Sequence, residues 1–163
     1  MLEAFNTRSS FLIRDEVNLM RTEEVVFDSG DKTVHTFNDN ELCVRTTDFD
    51  AAGNIRFDIH YEVDSRQRVV GWKVFDGNGN IVKRFEVHFD SQDLEIEKRQ
   101  YGAEGKLERL QRYVYDDNNR RVEEQHFDAT KTLRSKKVFT SRGDETIANY
   151  YDVQGNPIGG PAA

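Results

Sequence analysis

The histidines and the single cysteine are the residues of this chain whose types could support nucleophilic or metal chemistry. The four histidines are His35, His60, His88 and His126. No two of them stand at the spacing of a metal-ligand pair, and Cys43 lies in a predicted strand without a histidine placed to activate it. We therefore expect no catalytic residue, no metal and no cofactor, and we predict that the chain is not an enzyme.

Aspartates recur directly after aromatic residues, and closely spaced aspartates are also found in calcium-binding loops. The string Asp76-Gly77-Asn78-Gly79-Asn80 is the nearest approach to such a loop, but it lacks the terminal bidentate glutamate. A turn accounts for the aspartate equally well, because aspartate at the first position of a type I turn accepts hydrogen bonds from the turn backbone. We therefore predict structural turns rather than calcium sites.

The elements that would position these side chains are marked by aromatic residues, which end a short unit eleven times. They are Phe27, Phe37, Phe49, Tyr61, Phe75, Phe89, Tyr101, Tyr115, Phe127, Phe139 and Tyr151. Every interval between them is an even number from 10 to 14, as expected for hairpins whose strands alternate their side chains between two faces. The predicted fold is all-β, a sequential antiparallel meander of about 9–12 strands built from 10–14-residue aromatic-ended hairpin repeats.

The segment from Phe49 to Ile55 illustrates the predicted hairpin. Asp50 stands at the first position of a type I turn and Gly53 stands three residues later, which is the pattern of a three-residue loop with a left-handed glycine. In this geometry Phe49 faces Ile55, so each aromatic residue is expected to pair with the residue six positions later. Lys131 and Ser65 occupy the glycine position of two other units, so wider or irregular turns are expected there.

The same pairing rule predicts opposite charges across the ladders, with Glu124 facing both Arg112 and Lys136. A sheet of about eleven strands is too wide to hide an apolar face while flat, so we expect a coiled sheet or a partly closed barrel. Alternating apolar residues predict that the core is densest between residues 42 and 90.

Three segments are predicted along the chain. Residues 1–20 form an N-terminal non-repeat segment, expected to be a short helix or an irregular strand. Residues 21–158 form the β-hairpin repeat domain, and residues 159–163 form a loose C-terminal tail.

Charge limits the classes of partner. The formal net charge is −7, which argues against nucleic-acid binding and against binding to an anionic membrane surface, and leaves a basic protein as a suitable partner. The first residues lack a basic and then apolar run, and no stretch reaches membrane-spanning length, so a cytoplasmic protein is expected. The oligomeric state is left open by the sequence.

Trp72 is the residue that we single out for binding. The predicted register places it on an even-numbered face with His60, Arg84, Glu86 and His88, which is the richest mixture of aromatic and charged groups in the chain. A lone tryptophan in a strand is usually part of a core, whereas neighbouring arginines favour a cation–π stack or a partner-binding patch. We take these five residues as the candidate binding site.

The strings from Tyr113 to Val122 and from Tyr150 to Ile158 resemble the YD repeat of bacterial Rhs proteins. That motif is an aromatic residue and Asp, two further residues, Gly with Arg or Asn, and an apolar residue. The period of about one strand also resembles MORN-variant proteins that serve as antitoxin components of bacterial toxin modules. What the resemblance implies is a non-enzymatic bacterial protein linked to polymorphic toxins.

Two functions follow as hypotheses. The first is a protein–protein interaction module, in its sharper form an immunity protein or antitoxin that binds and neutralises a cognate toxin, for which a basic toxin domain would suit the acidic charge. The alternative is a ligand-binding β module related to YD-repeat proteins, with a carbohydrate or an envelope component as ligand.

Overall fold

The computed structural model describes residues 7–15, 18–142 and 145–159, and all regular elements in these ranges are β-strands. The strands are β1 (Thr7–Asp15), β2 (Asn18–Val26), β3 (Lys32–Phe37), β4 (Cys43–Phe49), β5 (Ile55–Val63), β6 (Val69–Asp76), β7 (Ile81–Phe89), β8 (Glu95–Gly102), β9 (Leu107–Tyr115), β10 (Arg121–Asp128), β11 (Leu133–Arg142), β12 (Glu145–Asp152) and β13 (Pro157–Ile158). The strand order follows the chain order from β1 to β13. The predicted sequential antiparallel meander is confirmed, with β1 and the two-residue β13 added to the eleven expected strands.

The chain divides into two compact units, unit 1 (Met1–Arg84) and unit 2 (Phe85–Ala163). In unit 1 the strands pair antiparallel in chain order, from the β1–β2 ladder to the β5–β6 ladder. In unit 2 the same holds from β8 to β13. Each unit is therefore built by the repetition of one hairpin.

The N-terminal non-repeat segment contributes strands to this sheet. Of the two forms expected for it, residues 7–15 adopt a strand, β1, which pairs with β2 so that Asp15 faces Asn18. Residues 160–163 of the predicted tail lie outside the described residues.

Ten hairpin turns share one hydrogen-bond pattern. In the turn that starts at Asp50, the N–H of Asp50 donates to the carbonyl of Asn54 at 2.9 Å, and the N–H of Gly53 donates back to the carbonyl of Asp50 at 2.9 Å. The carboxylate oxygen Oδ1 of Asp50 also accepts the N–H groups of Ala52 and Asn54, at 3.0 and 2.8 Å. The residues that play this acceptor role in eight of the ten turns are Asn38, Asp50, Asp64, Asp76, Asp90, Asp116, Asp128 and Asp152. The aspartates that suggested calcium loops thus hold the turns.

The residue three places after the start of each turn has a positive φ angle, and in five of the ten turns it is not glycine. These five are Glu41, Gln67, Asp93, Asn119 and Lys131. The expectation of a wider turn at Lys131 is wrong: Lys131 has a φ of 61°, and its N–H donates to the carbonyl of Asp128 at 3.0 Å, as in the glycine turns. The turn and side-chain hydrogen bonds outweigh the cost of about 1–2 kcal/mol for a left-handed residue.

Substitutions at the left-handed positions of two such turns test whether backbone strain there affects stability. Gly53→Val should lower the free energy of unfolding by about 1–2 kcal/mol, because Gly53 has a φ of 84° and an added Cβ meets no atom within 4 Å, leaving backbone strain as the cost. Lys131→Gly should raise it by about 0.5–1 kcal/mol by relieving the same strain. Urea denaturation measures both. Lys106→Gly is the control, because Lys106 lies beside a turn but is not among the residues with positive φ, and this variant should be destabilised. A loss of stability in Lys131→Gly would contradict the claim that Lys131 is strained.

Most hairpins contain one extra residue just after the turn. Phe49 faces Ile55, as predicted, but the next pair is Asp48 with Phe57, so Arg56 stands without a partner across the ladder. The extra residues in six hairpins are Val44, Arg56, Val70, Glu108, Val122 and Arg134. Each is a β-bulge, which shifts all later pairs of its ladder by one residue.

These bulges correct the predicted charge pairs. Glu124 faces Tyr113 and Lys137, rather than Arg112 and Lys136. Arg112 instead faces Gln125 in β10. The pairing of the aromatic residue with the residue six positions later holds at the turn, and the bulge then moves every following pair by one.

Few side chains are buried. The buried apolar residues of the described chain are Val87, Leu110 and Tyr113, all in unit 2. The buried residues among those described in unit 1 are Thr46, Thr47, Asp58 and Gly71. Thr46, Thr47, Asp58, Gly71 and Val87 lie in the range 42–90 where the core was predicted to be densest, whereas the buried apolar residues Leu110 and Tyr113 lie beyond it. A sheet buries its apolar face only against a second layer, and no helix or second sheet is present among the described residues of either unit.

Candidate interaction face

Trp72 and His60 lie on opposite faces of unit 1. In the β5–β6 ladder Trp72 faces Tyr61, whereas the adjacent residue Lys73 faces His60. Successive residues of a strand point to opposite sides. The structure therefore does not bring Trp72 and His60 together as predicted. The turn of this hairpin begins at Asp64, whereas the sequence predicted that it begins directly after Tyr61. The bulge adds one more residue, so the observed pairing differs from the predicted pairing by an odd number of positions.

The face that carries Trp72 is mainly apolar. We call it the Trp72 face and define it by Phe57, Ile59, Tyr61, Trp72 and Val74. Ile59 faces Val74, and the Tyr61 and Trp72 rings lie 6.5 Å apart with a tilt of 47°. None of the five side chains is buried, and Phe57 is 48% exposed. An apolar and aromatic surface of this kind is typical of protein-binding sites.

The opposite face of unit 1 is polar and is centred on Asp58. Its carboxylate accepts two hydrogen bonds from Arg45, at 2.8 and 2.7 Å, one from the Thr47 hydroxyl at 3.0 Å, and lies 2.8 Å from Nε2 of His60. The His60 ring in turn packs on Phe75, with 4.7 Å between centroids. Burial by itself would raise the pKa of Asp58, but the hydrogen bonds from Arg45, His60 and Thr47 outweigh it and lower the pKa from 3.8 to about 2. Asp58 is therefore a charged structural group rather than a general acid at neutral pH.

The remaining predicted site residues lie on β7. Tyr101 donates its hydroxyl to Oε2 of Glu86 at 2.7 Å, and Nε2 of His88 lies 4.0 Å from the same oxygen. Burial, followed by this bond to Glu86, raises the pKa of Tyr101. Arg84 is half-buried at the end of unit 1. The structure thus brings Glu86 and His88 together in unit 2. The role of the five predicted residues in binding stays a prediction.

Three histidines share a pairing that the sequence analysis missed. In each case a carboxylate stands two residues before the histidine in the same strand, and an aromatic residue follows the histidine directly. The pairs are Asp58 with His60 at 2.8 Å, Glu86 with His88 at 4.0 Å, and Glu124 with His126 at 3.1 Å. The signal was present in the sequence as an acid-x-His-aromatic string, which places both side chains on one face.

No family model and no curated protein sequence matches the chain. Among solved structures, a chain of "Crystal Structure of TcdB2-TccC3-Cdc42" is similar, with 10% identity and a TM-score of 0.32 over 91% of this chain and 12% of that chain. Similarity at this level carries no argument about family, so the resemblance to YD-repeat and MORN-variant proteins stays a prediction. In the parts of the chain that the structure describes, no three His, Cys, Asp or Glu side chains converge as metal ligands, and no helix could span a bilayer.

Proposed function

We propose that this chain is a non-enzymatic protein-binding module and that the Trp72 face is its contact surface in unit 1. The observation that supports the proposal is that this face combines Trp72, Tyr61 and Phe57 without any of them being buried. Tryptophan and tyrosine dominate the binding energy of many interfaces because they bury a large area at a small cost in conformational entropy. A partner would supply the second layer that is absent among the described residues of unit 1.

The sharper form of the proposal is an immunity protein or antitoxin that neutralises a toxin. The net charge of −7 supports a basic toxin as partner, because opposite charges accelerate association and reject partners of like charge. The direct experiment expresses the products of neighbouring genes in bacteria with and without this chain. Rescue of growth from one toxic product, together with a purified 1:1 complex, supports the antitoxin form. Absence of any toxic or binding neighbour contradicts it.

Trp72→Ala should weaken the binding of that partner at least about tenfold, since truncating a central interface tryptophan typically costs about 2 kcal/mol or more. Isothermal titration calorimetry measures the affinity. Lys73→Ala is the matched control, because Lys73 lies opposite His60 on the other face of the same two strands. An equal loss in both variants, or no loss in Trp72→Ala, would place the contact elsewhere. Affinity should also fall as salt is raised if the partner is basic.

A further inference from the structure

Asn78 lies in the turn between β6 and β7 and is followed directly by Gly79. Among the asparagines of the chain, it alone precedes a glycine. Both residues are exposed, and the side-chain amide of Asn78 makes no hydrogen bond to a described residue. Gly79 has a φ of 82°, and a Cβ added to it would meet no atom within 4 Å. An unbound side-chain amide thus stands next to a backbone segment with open space around it.

The asparagines that end the glycine turns are held differently. The side-chain amides of Asn54, Asn80 and Asn156 donate to the carboxylate of the aspartate that begins their turn, at 3.0, 3.2 and 2.9 Å. An isoleucine follows the first two, and its branched side chain crowds the backbone nitrogen beside it. A proline, which has no N–H, follows the third. These three side chains are therefore both bound and poorly placed for attack by the next nitrogen.

Asn118 provides a matched comparison, because it holds the same position in the Asp116 turn as Asn78 holds in the Asp76 turn. The N–H of each asparagine donates to Oδ1 of its turn aspartate at 2.9 Å. The N–H of the following residue donates to the carbonyl of the same aspartate at 3.0 Å in both turns. That following residue is a glycine with a φ of 82° in the first turn and an asparagine with a φ of 60° in the second. The two sites share their backbone geometry and differ in the residue that follows.

We propose that Asn78 is a site of spontaneous deamidation in the folded chain. The backbone nitrogen of Gly79 loses its proton to a base in solution and attacks Cγ of Asn78, and the Cγ–Nδ2 bond breaks with release of ammonia. The product is a succinimide ring. Water then opens the ring, giving aspartate by attack at Cγ and isoaspartate by attack at the backbone carbonyl carbon. Glycine favours ring closure because it has no Cβ to hinder its nitrogen and the widest range of backbone conformations.

Deamidation changes both the charge and the backbone of this turn. Either product adds one negative charge near Asp76, and isoaspartate also inserts a methylene group into the main chain. The N–H of Gly79, which donates to the carbonyl of Asp76 at 3.0 Å, lies directly after that insertion. The turn adjoins the Trp72 face, because Asp76 faces Phe57 across the β5–β6 ladder. The reaction therefore alters the border of the surface proposed to bind a partner, although the reaction itself does not depend on that proposed function.

The test is incubation of the folded full chain in mildly alkaline buffer, with digestion at acidic pH and tandem mass spectrometry at successive times. We expect Asn78 to gain the mass difference between an amide and a carboxylic acid at least about tenfold faster than Asn118, with isoaspartate among the products. Isomerisation of Asp76, which precedes Gly77, leaves the mass unchanged and does not contribute to this signal. Equal rates at Asn78 and Asn118 overturn the proposal. Reaction at Asn78 only after the chain is unfolded in urea overturns it as well.

Reciprocal variants at the two turns test the role of the following residue. Gly79→Asn should slow deamidation of residue 78 to the rate seen at Asn118, because asparagine already adopts positive φ at the matching position of the other turn. Asn119→Gly should accelerate deamidation of Asn118 to the rate seen at Asn78. Circular dichroism and urea denaturation check that both variants are folded. A fast reaction of Asn78 that persists in Gly79→Asn overturns the assignment, as does an unchanged rate at Asn118 in Asn119→Gly.

Discussion

Leu110→Ala is expected to lower the free energy of unfolding by about 2–5 kcal/mol. Leu110 is 2% exposed and is the largest fully buried side chain of the described residues. It lies in β9 between Arg99 of β8 and Phe127 of β10. Alanine removes three carbon atoms from this contact, and the neighbouring strands hold the backbone in place, so the space is not refilled.

Urea denaturation followed by circular dichroism measures the effect of Leu110→Ala. Ile96→Ala is the control, because Ile96 is an aliphatic residue of β8 that is 38% exposed. It should cost less than about 1 kcal/mol, since more than a third of its surface is already exposed to solvent. Equal losses in the two variants would mean that Leu110 does not form the centre of the apolar contacts of unit 2.

Asp58→Asn is expected to lower the free energy of unfolding by about 2 kcal/mol at neutral pH. The reason is the difference between the pKa of about 2 in the folded chain and the ordinary value of 3.8. The charged form receives the hydrogen bonds of Arg45 and Thr47, and an amide accepts them more weakly and cannot accept them at its nitrogen. The loss of the charge therefore weakens the contacts that join β4 to β5.

The stabilising effect of the Asp58 carboxylate should decrease as the pH is lowered. A carboxylate whose pKa is lowered by folding stabilises the folded state above its unfolded pKa, and this contribution disappears as pH falls through the folded pKa. The difference in stability between the unaltered chain and Asp58→Asn should thus be full above about pH 5 and shrink between about pH 4 and pH 2. Asp117→Asn, at an exposed turn aspartate, serves as the control for removing one carboxylate from the surface. A difference that stays constant down to pH 2 would contradict the role assigned to Asp58.

We expect one face of unit 1 to contribute mainly to stability and the other to contribute mainly to binding. The Asp58 network joins neighbouring strands on the polar face through Arg45, Thr47 and His60. The Trp72 face contains no buried side chain among its five residues. Substitutions on the first face are therefore expected to change stability, and substitutions on the second are expected to change binding of the proposed partner. The pair Trp72→Ala and His60→Ala separates these effects within one hairpin.

Local chemistry explains why the hairpin repeat could be predicted from the sequence. An aspartate such as Asp50 and a glycine such as Gly53 define a turn through hydrogen bonds within five residues, so no distant contact is needed. Even spacing of aromatic residues then predicts antiparallel strands in chain order, as the structure shows. The non-glycine turn at Lys131 escaped prediction because hydrogen bonds around Asp128 override the conformational preference of lysine.

Which residues share a face in the candidate site depends on the bulges in the strands between the turns. One added residue, such as Val70, displaces every later pair in a ladder, and an odd displacement moves a side chain to the other face. Trp72 therefore lies with Tyr61, and His60 with Lys73, although the sequence predicted Trp72 and His60 together. By itself the sequence determined the strands, their order and the turns that combine aspartate with glycine, because these depend on neighbours along the chain. Only the tertiary structure decided register, face and burial, because these depend on contacts between strands.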